Sequence, residues 1–103
     1  MMSVSSRPAA QASTSATVSS PAEGRFVAHL ADGLQVFATA EAALAATEAA
    51  VAAEASSRAR AAGAVDLRVT VDRAVKQVEI EGRTMFIEAR LTATASGRPR
   101  VAH

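Results

Sequence analysis

The sequence has no cysteine, tryptophan or tyrosine, and its aromatic residues are three phenylalanines. The missing cysteine excludes a disulfide framework, thiol catalysis and a cysteine zinc site. The scarcity of aromatics removes the usual bulky core residues and any stacking platform for nucleic-acid bases. Charge of one sign is not in excess either. The net charge is +1, which argues against bulk attraction to nucleic acid or to an anionic membrane surface. No apolar run is long enough to span a bilayer. The N-terminus lacks the apolar centre of a secretory signal, and Arg7 alone among its first 24 residues is too little basic charge for a transit peptide. The default reading is a cytoplasmic bacterial protein that binds neither nucleic acid nor membrane.

With 103 residues the chain has room for one small domain. Its apolar share is 50%, but much of that is alanine, so the core is short of large side chains. A small domain with such a core is marginal alone. This raises the expectation of a protein partner or a homo-oligomer.

What the chain does have is alternation. Val65, Leu67, Val69 and Val71 interleave with Asp66, Arg68, Thr70 and Asp72. Met85, Ile87, Ala89, Leu91, Ala93 and Ala95 interleave with Phe86, Glu88, Arg90, Thr92, Thr94 and Ser96. A period of two marks a half-buried strand. Three strands are expected here, Val65–Asp72, Val75–Glu81 and Thr84–Ser96. Gly82-Arg83 fits a type II′ loop, which pairs Ile80 with Met85, Val78 with Ile87, Glu79 with Phe86 and Glu81 with Thr84. Gly97 and Pro99 should end the last strand.

Before these strands comes a helix, Thr39 to Ala62. Thr39 can cap it, Glu41 faces the positive end of the dipole, and Arg58 and Arg60 lie near the negative end. Gly63 suits the left-handed residue that closes a helix, and Glu54–Arg58 is a favourable i,i+4 pair. The buried stripe should include Ala40, Leu44, Thr47, Val51 and Ala55. Earlier still, Arg25–Leu30 and Leu34–Phe37 read as two short strands around Asp32-Gly33, a favoured type I′ loop, with a single strand followed by a turn as the alternative. Residues 1–24 are Ser, Ala and Thr with Pro8 and Pro21, and show no hydrophobic period. They read as a disordered N-terminal tail, or one that orders only on a neighbouring chain, leaving one domain at 25–97 and a C-terminal tail at 98–103. The expected fold class is α+β. One long Ala-rich helix packs on a four- to five-stranded, mainly antiparallel sheet in the order β-β-α-β-β-β.

Catalytic and cofactor motifs are absent. There is no G-x-S-x-G elbow, phosphate loop or dinucleotide fingerprint, and His29 and His103 lack a metal-ligand spacing. No catalytic, cofactor-binding or metal residue is assigned. Glu79, Glu81 and Glu88 share the polar sheet face with Arg68, Arg73 and Arg90, which reads as a solvated cross-strand charge ladder. Arg98-Pro99-Arg100 reads as a solubilising tail. Phe86 is the anomaly, projecting onto that polar face beside Thr84, Glu88, Thr92 and Thr94. Strand Thr84–Ser96 is long enough to outrun its partners and offer an open edge. These five residues are therefore the candidate interaction site.

The Ala-rich helix ends in Ala61-Ala62-Gly63-Ala64 and is followed by Val69-Thr70-Val71. Next come Gly82-Arg83, Met85-Phe86-Ile87-Glu88-Ala89 and the stretch from Thr92 to Arg100. Over about residues 39–100 this order resembles a segment of the hydantoinase/oxoprolinase family of large ATP-dependent ring-opening enzymes. The resemblance implies an accessory α+β module near the C-terminus of such a subunit, here a detached small subunit or a relic. The family's nucleotide and metal chemistry belongs to other domains, so the resemblance carries over no catalytic residue. The leading expectation is a non-catalytic structural or interaction subunit, self-associating or docked on a larger enzyme. The alternative is a small-ligand module with a pocket between helix and sheet. An enzyme using Glu79, Glu81 or Glu88 is a third.

Overall fold

The computed structural model describes residues 10–100. Five strands and one helix follow in order: β1 Ala10–Ala22, β2 Arg25–Leu30, β3 Gly33–Phe37, α1 Ala40–Ala61, β4 Ala64–Ile80 and β5 Arg83–Pro99. The strands form one antiparallel sheet in the order β3-β2-β1-β5-β4, with α1 on one face. This is the expected two-layer α+β architecture with five strands. The chain order is β-β-β-α-β-β, however, with one strand more before the helix and one fewer after it.

The extra strand is β1, formed by Ala10–Ala22 where composition reads as a disordered tail; Met1 to Ala9 lie outside the described residues. β1 is the central strand, paired with β2 from Thr17↔His29 and with β5 from Ala10↔Gly97 to Ser19↔Glu88. Its alternation is real but carried by alanine against serine. Ala12, Thr14, Ala16 and Val18 turn to the helix; Ser13, Ser15, Thr17 and Ser19 turn away. Ladder bonds on both flanks order it, a tertiary effect that side-chain hydropathy does not display. Pro21 sits where the β1–β2 register shifts, a place that tolerates a missing amide donor.

The strand lost after the helix is a merger. Val65–Asp72 and Val75–Glu81 are one 17-residue strand, because the alternation runs on through Val71, Arg73 and Val75. At a rise of about 3.4 Å such a strand is roughly 57 Å long. It sets the long axis of a thin body measuring 61 × 28 × 16 Å.

Two turns differ from expectation by one residue. The β4–β5 loop is Glu81-Gly82, with φ of 52° and 75°, a type I′ pattern instead of II′ at Gly82-Arg83. The pairs are therefore Ile80↔Arg83, Glu79↔Thr84, Val78↔Met85 and Gln77↔Phe86. The β2–β3 loop is Ala31-Asp32, closed by Leu30↔Gly33, and the positive φ of 137° falls on Gly33. Gly97 does not end β5, which runs to Pro99. It lies opposite an extra residue of β4, where Asp66 takes φ 56°. A Cβ at Gly97 would collide with the Val65 carbonyl oxygen and press on Leu67, so the bulge requires glycine. The Arg98 guanidinium binds the Asp66 carboxylate, and the Arg100 amide donates to the Gly63 carbonyl at 2.7 Å. The C-terminal tail therefore begins later than expected; residues 101–103 lie outside the described residues.

The helix forms as its sequence directs. Thr39 Oγ1 accepts from the Ala42 amide at 3.2 Å, and Gly63 at φ 98° follows its last turn. Its buried residues are Ala43, Thr47, Val51, Ala55 and Ala59, with Leu44 half-buried beside them. A repeat of four advances about 40° per step on a 3.6-residue helix, so the stripe winds as the helix crosses a twisted sheet. The Thr47 hydroxyl donates to the Ala43 carbonyl at 2.7 Å, which satisfies the one buried polar side chain of the core. No described helix is long and apolar enough to cross a membrane.

A central strand cannot be removed without opening the sheet. A chain starting at Glu23 loses the ladder partners of both β2 and β5. It should show no cooperative thermal transition by circular dichroism, whereas the full chain melts in one step.

Candidate functional site

The five residues expected to form an interaction patch do not come together. Strand β5 is not an overhanging edge, because β1 flanks it from Glu88 to Gly97 and β4 along nearly all its length. Lys76 pairs with Glu88 and Gln77 with Phe86, so Ile87 is an extra residue. Such a bulge reverses the alternation. Phe86 accordingly turns toward the helix side, half-buried against the core, and meets Phe26 edge-on with centroids 5.7 Å apart and planes at 72°. Thr84, two residues before it, shares that side. Glu88, Thr92 and Thr94 lie on the opposite, helix-free face.

That open face is an array of rows. Ser13, Thr94 and Thr70 stand side by side, then Ser15, Thr92 and Asp72, then Ser19, Glu88 and Lys76. The Ser13 and Thr94 hydroxyls are 3.1 Å apart, and Ser19 Oγ lies 2.9 Å from His29 Nε2. The carboxylates of the expected charge ladder are dispersed. Glu88 is in the array, Glu79 pairs with Thr84, and Glu81 occupies the hairpin turn. Arg73 leaves the ladder altogether, crossing to the helix face to bind Glu48 at 2.6 Å. Among the described residues no three His, Asp or Glu side chains gather as a metal site would require.

Among the described residues, clefts flank the sheet at two places. One, of about 650 Å³, opens where β1 outruns β2, between α1 and the Ala31-Asp32 turn. Thr14 Oγ1 donates to Glu54 Oε1 there at 3.3 Å, and Arg58 holds the other carboxylate oxygen at 2.9 Å. The second, of about 500 Å³, lies in the fork between the β1–β2 and β4–β5 hairpin tips and is lined by Phe26, Phe86, Ile80, Met85 and Ile87.

The third feature is the outer edge of β4. No described strand pairs with it along 17 residues. Opposite faces of this strand carry different chemistry. Leu67, Val69, Val71, Arg73 and Val75 lie on the helix side, and Arg68, Thr70, Asp72, Ala74 and Lys76 on the open side. Val69 is 38% exposed and Val75 45%. Reading β4 as two strands hid this edge, although the uninterrupted period through Val71-Asp72-Arg73-Ala74-Val75 signals it.

The Phe26–Phe86 pair holds the base of the fork. Phe86→Ala should lower stability by roughly 2 kcal/mol, below the cost of a fully buried Phe. A double-mutant cycle with Phe26→Ala in denaturant melts should give a coupling near 1 kcal/mol. Additive losses would show that the rings do not interact.

No protein-family model, curated protein or solved structure matches this chain.

Proposed function

We propose that the chain is a non-catalytic interaction subunit that recruits another protein chain by strand addition at the outer edge of β4. The single observation that carries this reading is the length of that edge, 17 residues with no described partner, against five for β3 at the other end of the sheet. An unpaired edge is a row of free amides and carbonyls, a template for another strand. Proteins commonly block such edges with charge of one kind, proline or a covering loop. Here Arg68, Asp72 and Lys76 alternate in sign on one side while Leu67, Val69 and Val71 present aliphatic carbon on the other. A matched strand would be welcomed and a mismatched one rejected, which is selection more than blockade. The core contributes to the same reading. Its largest fully buried side chains are Leu91, Val18 and Thr47, so further burial at an interface adds needed stability.

A second reading, a small-ligand module, has one observation in its favour. The 650 Å³ cleft lies between helix and sheet and is of ligand size, with Glu54 held by Thr14 and Arg58 at its wall.

Amide hydrogen exchange on the chain isolated gently from its own cells separates the two. In an antiparallel edge strand alternate amides point outward. Strand addition predicts that outward and inward amides of β4 exchange equally slowly. Fast exchange at every other β4 amide, with slowing confined to Thr14, Ala16 and the Glu54 region, would contradict it and favour the ligand module.

A further inference from the structure

We infer that the strand added at β4 is β4 of a second copy, paired antiparallel about a two-fold axis through Thr70. This rests on the strand-addition reading and names its partner. In a two-fold antiparallel pair, a residue n places before the centre faces the residue n places after it. Centred on Thr70, Arg68 faces the second copy's Asp72, and Asp72 faces the second copy's Arg68. On the helix side Val69 faces the second copy's Val71, twice, and Leu67 faces the second copy's Arg73, which Glu48 already holds. Opposite charges thus meet on one face, and valine meets valine at the centre of the other. Centring on Ala74 also pairs opposite charges, Asp72 with Lys76, but sets Arg73 against Val75 where the Thr70 centre sets valine against valine. Charged centres do worse. Centring on Asp72 sets that carboxylate against itself and Arg68 against Lys76; centring on Arg68 or Arg73 sets a guanidinium against its own copy. The axis stands perpendicular to the sheet. Both helices then lie on the same face of a continuous ten-stranded sheet, and the two exposed Val69 side chains are covered in the trough between them.

The edge of β3 is the competing surface, with Leu34 66% and Val36 63% exposed. Its five residues carry no charge, so it offers no register. Pairing β3 with β4 of another copy would be head-to-tail, giving a ring or a filament and not a two-fold dimer.

The cysteine-free chain permits a direct test on the full-length protein. Residues at the axis face themselves with Cα atoms about 4.5–5.5 Å apart, within disulfide reach. Thr70→Cys should therefore form a covalent dimer on mild oxidation. Ala74→Cys should not, because the register separates the two copies of residue 74 by eight residues, roughly 27 Å. Light scattering across a dilution series should give a dimer. Arg68→Asp alone and Asp72→Arg alone should each weaken it roughly tenfold, since two attractive cross-strand pairs become repulsive. Arg68→Asp with Asp72→Arg should restore the affinity.

Faster linking at Ala74→Cys, or no rescue by the double exchange, would overturn the register. Growth beyond a dimer would overturn the two-fold axis. A monomer at every concentration whose outward β4 amides are nonetheless protected in the protein from cells would overturn the second copy as occupant and leave strand addition standing. A monomer whose outward amides exchange fast in that protein would overturn both.

Discussion

Ala43, Ala55 and Ala59 of α1 share one buried cluster with Ala89, Ala93 and Ala95 of β5 and with Ala16 and Ala28 of the neighbouring strands. This seam of methyl groups governs the rest of the structure. A methyl removes little area from water, so each contact contributes less than a leucine would. What the seam supplies instead is proximity, since small side chains on both layers let the helix lie low on the sheet and recover close-packed dispersion contacts. Leu91, Val18 and Val51 supply the bulk that the methyls lack. A helix seated this low demands small residues beneath it. β1, which runs under α1, presents Ala12, Thr14, Ala16 and Val18 there. The composition that makes the N-terminal segment look disordered is the composition the seam requires.

That constraint also explains which parts of the fold were legible in the sequence. The helix was legible because its signals are local: Thr39 before it, Gly63 after it and alanine between. The architecture was legible because Val65–Val71 and Ala89–Ala95 alternate with enough contrast to reveal a strand. β1 was not legible, because alanine against serine is a weak contrast and its order comes from two neighbours distant in sequence. Phe86 was misplaced for another reason. Its side of the sheet is set by one extra residue, Ile87, opposite Lys76 and Gln77, and a period-two reading carries no information about where a ladder slips. The same slip parts Phe86 and Thr84 from Glu88, Thr92 and Thr94. The β4 edge was within reach of the sequence, and was hidden by treating Arg73-Ala74 as a break.

One helix on five strands covers one face and leaves the other bare. The bare face is tolerable because Ser13, Ser15, Thr17, Thr92 and Thr94 are at home in water and short enough to bond one another across strands. The edge is a different matter, since its outward amides and carbonyls offer a template for another strand all along β4. A domain with a methyl core has little stability to spare, and strand addition at that edge, as proposed, would supply more.

The central claim is that the core needs its alanines small. Thermal unfolding of Ala55→Leu and Ala93→Leu, beside the exposed helix control Ala49→Leu, tests it most directly. Prying helix from sheet should lower stability by about 1–3 kcal/mol or more at either buried site. The control should stay within about 0.5 kcal/mol. A rise in melting temperature at Ala55 or Ala93, with leucine filling unused space, would contradict the account.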